Sequence, residues 1–195
     1  MNTITHIFLS INWIDVVMLV LFIRIVFIGV KTGFVTELFK LFGILCALFV
    51  GLNYYVFLAA FLAKKAHISL NFLEFLFFVL LVSLMVLAVK FFRDGFLMLF
   101  KFEASHERFD QWGAGVLSIF RALLIVSLVL YGALLTNIEL LQKQTMTSVS
   151  HKLALKVAPN TYSFLFHNFI GKIFSKEKFN DEVLNVSSHN SVGRK

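Results

Sequence analysis

Apolar residues in this chain gather in four long, nearly unbroken runs, at residues 11–30, 41–63, 70–92 and 113–136. A bilayer core about 30 Å thick needs about 20 helical residues at about 1.5 Å each, and all four runs are long enough. Lipid offers no partner to a free backbone N–H or C=O, so such runs must be helical. The first run carries only Asp15 near its start and Arg24 in its middle, and the second has no formal charge. Glu74 and Lys90 sit near the ends of the third, and Arg121 lies about two turns into the fourth.

Between runs three and four, residues 93–112 alternate Phe and Leu with Lys101, Glu103, Glu107 and Arg108, the pattern of a partly helical interfacial connector. Residues 64–69 are short enough for a turn only. After Thr136 the pattern changes. Pro159 marks a break, and Asn160 or Thr161 is placed to cap a new helix. There Tyr162, Phe166, Phe169, Ile170 and Ile173 form one apolar stripe, opposite His167, Asn168 and Lys172. Such a helix suits the membrane surface or a partner groove. The expected fold class is therefore all-α: a polytopic membrane protein of four transmembrane helices plus a C-terminal amphipathic helix. Its divisions are a transmembrane domain at 1–136, an interfacial helical tail at 137–176 and a disordered polar tail at 177–195.

Composition agrees. Of 195 residues 59% are hydrophobic and 15% charged, against about 45–50% and about 25% in soluble domains. The single cysteine, Cys46, lies in the second run, rules out an internal disulfide and reads as a packing residue. The net charge is +7, with much of it in the C-terminal third, including Lys143, Lys152, Lys156, Lys172, Lys176 and Lys178. On a membrane protein this predicts contact with anionic headgroups, and with no recognition motif beside it, no nucleic acid. Residues 1–11 carry no Lys or Arg, which argues against a cleaved signal peptide. The first loop has Lys31 and nearby Lys40; the third has Lys90, Arg93, Lys101 and Arg108; the second has Lys64 and Lys65. Loops one and three are then expected in the cytoplasm and both termini in the periplasm.

Candidate chemistry rests on the polar residues inside the runs. A central Arg costs about 2.5–3.5 kcal/mol on insertion scales, so Arg24 and Arg121 are expected to face the bundle interior or a wet cavity. Snorkelling or an internal ion pair is the plainer role; a substrate or ion pathway and catalysis are the others. Ala114, Ser118 and Ala122 lie near the Arg121 face at four-residue steps and permit close helix approach. Gly29, Gly33 and Glu37 repeat that step, suiting a tight turn or close packing. Glu37 has Lys40 in local reach and Arg24 or Arg121 across the bundle. Asn53, Tyr54 and Tyr55 imply a polar inner face on the second span. Trp13 and Trp112 suit interfacial anchoring. Asn12 and Asp15 suit a helix cap, and Asp110 suits the start of the last helix.

The six His are scattered without metal-ligand spacing, and no P-loop, nucleophile elbow or zinc-protease motif is present. No catalytic residue, metal or cofactor is expected.

The motifs 12-Asn-Trp-Ile-Asp-15, Gly29 with 33-Gly-Phe-Val-35 and Glu37, 53-Asn-Tyr-Tyr-55, and Asp110, Ala114, Ser118 and 121-Arg-Ala-122 stand in an order that resembles the colicin V production protein family of bacterial inner-membrane proteins. The resemblance covers roughly residues 11–136, with Phe34 and Asp110 among its motif positions. Where that family commonly has Gly in the last span, including directly after the Arg, this chain has Ala114, Ser118 and Ala122; small size is kept. The resemblance implies a multi-pass inner-membrane protein needed for colicin V production and linked to envelope maintenance. Relatives that fuse the same unit to an external trypsin-like protease imply that the segment after span four lies outside. The function expected from all this is a non-enzymatic membrane scaffold or assembly factor, partnered by the lipid bilayer and by other envelope proteins or copies of itself. The alternative is a small transporter or channel component using Arg24, Arg121 and Glu37 in a polar intramembrane cavity.

Overall fold

The structure, a computed structural model, describes residues 12–65, 69–100, 108–136, 138–173 and 179–183. Four long helices dominate: α1 (Trp13–Thr32), α2 (Phe34–Ala63), α3 (Leu70–Phe100) and α4 (Arg108–Leu135). All four are long and apolar enough to cross a membrane. The described residues contain no strand. Helix α2 begins seven residues before its apolar run and α3 continues eight beyond, because Glu37, Lys40, Lys90 and Arg93 are accommodated inside the helices. Most of the expected interfacial connector is thus the end of α3 and the start of α4; residues 101–107 and 1–11 lie outside the described part.

Asn12 and Asp15 form a capping box at the start of α1, with the Asn12 side chain accepting from the Trp13 N–H at 2.7 Å. Gly33 alone separates α1 from α2, with φ 82° and ψ 156°. A side chain there is strongly disfavoured, so this one-residue corner requires glycine. The corner splays the two helices it joins. Helix α1 packs along α4, α4 also packs on α2, and α3 lies on the far side of α2.

Much of the helical surface is apolar and exposed, including Phe27, Phe42, Phe57 and Phe91. That suits helices in hydrocarbon, where lipid tails are as apolar as Leu. Association there rests on close packing and polar ties. Trp13 and Trp112, 54% and 77% exposed, stand at opposite ends of the bundle.

Three shorter helices follow: α5 (Glu139–Thr147), α6 (Val149–Ala154) and α7 (Val157–Leu165). A π-helical turn at Phe166–Ile170 and α8 (Gly171–Ile173) continue α7. Pro159 does not break the chain. It sits in the first turn of α7, whose N-cap is Lys156, where a missing N–H costs no intrahelical bond. The expected start at Asn160 or Thr161 is corrected to Val157.

The tail folds back on the bundle. Tyr162 and Phe166 are buried, whereas Phe169, on the same expected stripe, is exposed. Ser127 of α4 accepts from the Ala158 N–H at 2.8 Å and donates to the Leu155 carbonyl at 3.1 Å. Disorder was expected from residue 177, yet 179–183 are packed: Phe179 stacks on Tyr162 and Val183 is fully buried. Residues 174–178 and 184–195 lie outside the described part.

Candidate functional site

The densest polar grouping lies where α1, α2 and α4 meet. Glu37, in the first turn of α2, is completely buried. Its carboxylate takes Lys40 Nζ at 2.7 Å on Oε1, the local pair foreseen at three-residue spacing. It also takes Arg121 from α4, with Nη1 2.8 Å from Oε2 and 3.1 Å from Oε1. The α4 guanidinium reaches Glu37 because helical side chains lean toward the helix N-terminus. Only the Oε1 contact has hydrogen-bond geometry, so Oε2 is held by charge alone. The Thr32 hydroxyl, on the last residue of α1, donates to Oε1 at 2.6 Å. Arg121 Nη2 donates to the Ile25 carbonyl of α1 at 3.3 Å. One carboxylate and one guanidinium therefore tie three helices together, with one positive charge in excess.

Small residues make this approach possible. A Cβ on Gly29 would stand 2.2 Å from Ser118 Cβ, a separation that no pair of side chains tolerates. Ala114, Ser118 and Ala122 are all fully buried, so the small face of α4 receives its neighbours as its spacing predicts. At the end of the bundle, Asp110 Oδ1 accepts the Phe34 N–H at 2.8 Å. Asp110 thus caps α2, whose own N-cap residue, Gly33, has no side chain to offer. Its expected place at the start of α4 stands, and the second contact is additional.

Asp15 plays the same part at the other end. Besides the Asn12 N–H at 3.0 Å, it accepts from the Val149 N–H at 3.2 Å and the Ser150 N–H at 2.7 Å. The Ser150 hydroxyl adds a bond of 2.6 Å. A carboxylate of the first helix thereby caps α6 in the tail, where a negative charge also suits the helix dipole. Asp15→Ala should free the tail without unfolding the bundle, at a cost of about 1–3 kcal/mol for the unsatisfied groups. Limited proteolysis should then cut between residues 137 and 173 while the four long helices stay intact. An uncut tail in a variant that is otherwise folded counts against the clasp.

Near that same end a second polar cluster forms. Tyr55 and Tyr131 hydroxyls are 3.0 Å apart, with Phe78 edge-on to Tyr55. Tyr162 donates to Asn53 Oδ1 at 2.7 Å and accepts from the Asn180 N–H at 3.1 Å. Asn180 Nδ2 reaches the Leu52 carbonyl at 2.8 Å. Sequence reasoning singled out Asn53 but not Tyr131, Ser127, Thr32 or Asn180; a lone polar residue in an apolar helix was the available signal for the first three.

The four intramembrane candidates do not converge. Glu37 and Arg121 meet, while Asn53 sits sixteen residues further along α2 with the tail, about 24 Å at helical rise. Arg24 corrects an expectation: it is exposed, not interior, and has no hydrogen bond or ion pair among the described residues. Among the described residues no three His, Cys, Asp or Glu gather to hold a metal.

Four membrane-length helices, held by carboxylates that each reach from one element to another, define a multi-pass helical membrane protein with a docked tail. The chain belongs to the colicin V production protein family, whose model matches residues 14–159. That match runs from the first span into α7 and includes Asp15, Glu37, Asp110 and Arg121. Comparison with curated proteins and with solved structures finds no match.

Proposed function

We propose that this protein is a non-enzymatic scaffold of the bacterial inner membrane, serving colicin V-type toxin production or export and envelope maintenance. The observation that carries the reading is the use to which the charges at the helix contacts are put. Asp15, Glu37, Asp110 and Arg121 are all engaged in holding one element against another. A scaffold needs such fixed geometry. Family membership supports the association with toxin production. The carrier reading draws less support, since Arg24, Asn53 and the Glu37–Arg121 pair form no continuous polar path.

In this reading the end bearing Lys31, Lys40, Lys90, Arg93 and Arg108 faces the cytoplasm, by the excess of Lys and Arg in the short connections. The termini and the docked tail then face the periplasm and present the surface that meets envelope partners or further copies of the chain. Crosslinking in native membranes followed by identification of the captured proteins is expected to return a small, reproducible set, with the contacts on α5–α8. Random capture, together with ion or solute movement by the purified protein in liposomes, would replace the scaffold by a transporter. A reporter fused after Lys195 that is active only in the cytoplasm would reverse the orientation.

A further inference from the structure

An open-sided cavity of about 240 Å³ lies between α2, α3 and α4, beside the Glu37 cluster. Its apolar wall includes Phe39 and Ile44 from α2, Val86 from α3 and Ile125 from α4. Its polar lining is of one sign: Lys40, Lys90, Arg93 and Arg121. Two carboxylates answer these four cations. Glu37 is shared by Lys40 and Arg121, and Asp94 binds Arg93 at 2.6 Å. Two positive charges are left over. Lys90 has no hydrogen bond or ion pair among the described residues, and Arg121 Nε is a buried donor without a partner among them.

Uncompensated charge within membrane-spanning helices is costly, so such a site favours an anion. The walls specify which kind. Apolar side chains from three membrane-spanning helices surround the cations, so a ligand must bring hydrocarbon together with its negative charge. A freely soluble anion would leave those walls unmatched. The volume lies below the about 300–1,000 Å³ of sites that enclose a drug-sized molecule. It suits a headgroup and the first carbons of a chain whose remainder stays in the bilayer. Basic pockets between spanning helices take anionic lipid headgroups in this way.

We propose that the cavity between α2, α3 and α4 is a binding site for an anionic phospholipid, whose phosphate sits among Lys40, Lys90, Arg93 and Arg121 and whose acyl chain lies along Phe39, Ile44 and Val86. The site is independent of whether the protein acts as a scaffold, since it requires only that the helices lie in a bilayer.

Full-length protein, purified in neutral detergent and stripped of lipid, provides the test. Its thermal unfolding is followed while phosphatidylglycerol, phosphatidylcholine or inorganic phosphate is added. Phosphatidylglycerol should raise Tm saturably; phosphatidylcholine and phosphate at equal concentration should not. Lys90→Gln, which removes an exposed and unpaired charge, should leave the lipid-free Tm unchanged and weaken the phosphatidylglycerol response roughly fivefold. Lys90→Arg should restore it. Lys143→Gln, on the exposed face of α5, controls for general surface charge and should change nothing. Equal responses to phosphatidylglycerol and phosphatidylcholine overturn the proposal, as does a phosphate response that accounts for the whole shift. A phosphatidylglycerol titration that Lys90→Gln does not alter also overturns it.

Discussion

Glu37→Ala is expected to lower stability by about 3–5 kcal/mol, because it leaves the Arg121 guanidinium buried with no counter-charge. Against a typical stability of about 5–15 kcal/mol, that is enough to depopulate the folded bundle. Removal of the opposite partner by Arg121→Ala should cost less, since the buried Glu37 keeps Lys40 Nζ at 2.7 Å and the Thr32 hydroxyl at 2.6 Å. The informative variant is the double replacement Glu37→Leu with Arg121→Met. Apolar residues of similar volume avoid the desolvation of both charges, so the double variant should recover most of what either single variant loses. Thermal unfolding in detergent, followed by the fluorescence of Trp13 and Trp112, measures all of these. Additive losses in the double variant would show that the two residues do not act on each other. Lys40 offers a control, because its side chain is 21% exposed and part of its pairing energy is screened.

Gly29→Ala carries the second large effect. The added methyl carbon would stand 2.2 Å from Ser118 Cβ and 3.3 Å from Glu37 Oε2, so α1 and α4 must separate or tilt. Overpacking of this kind costs about 1–3 kcal/mol. Here the displacement also pulls the Ile25 carbonyl away from Arg121 and Thr32 away from Glu37, so the upper end of that range is expected. Ser118→Gly removes the opposing Cβ and should rescue Gly29→Ala in large part, despite a helix penalty of about 1 kcal/mol for the new glycine. A cysteine pair across this seam, read by disulfide formation in membranes, reports the separation directly. If Gly29→Ala unfolds no more readily than the parent, the close α1–α4 approach is absent in the bilayer.

Span number and the small-residue face of α4 were legible because both depend on one helix at a time. Run length fixes the first, and a four-residue step on a single helix fixes the second. Partner choice was less legible. Depth along each helix left Glu37 three possible cations, and the structure uses Lys40 and Arg121 together. For Arg24 the sequence leaves an internal ion pair and snorkelling open, and central depth alone favours the interior. Its azimuth says otherwise: Gly29 faces α4, and five residues of helix turn Arg24 about 140° away from it. Asp15 had no partner in sequence because its partner lies 135 residues away, beyond all four spans. Pro159 reads as a break in the sequence because a proline in a first turn and a proline between helices look alike until the preceding turn is known.

The contact between Asp15 and Ser150 joins the first span to the segment after the fourth, and it has a consequence for how the molecule is made. Asp15 is synthesised early and enters the membrane with the first span, yet its donors at Val149 and Ser150 emerge only after the fourth. Until then a carboxylate that is nearly buried in the finished protein waits without its donors. The clasp therefore reads the parity of the threading: a nascent chain delivers residue 150 to the side where residue 15 is waiting only if it has crossed the membrane an even number of times in between. A chain that stops early, or that inserts one span the wrong way round, keeps a loose tail and an unsatisfied carboxylate at Asp15.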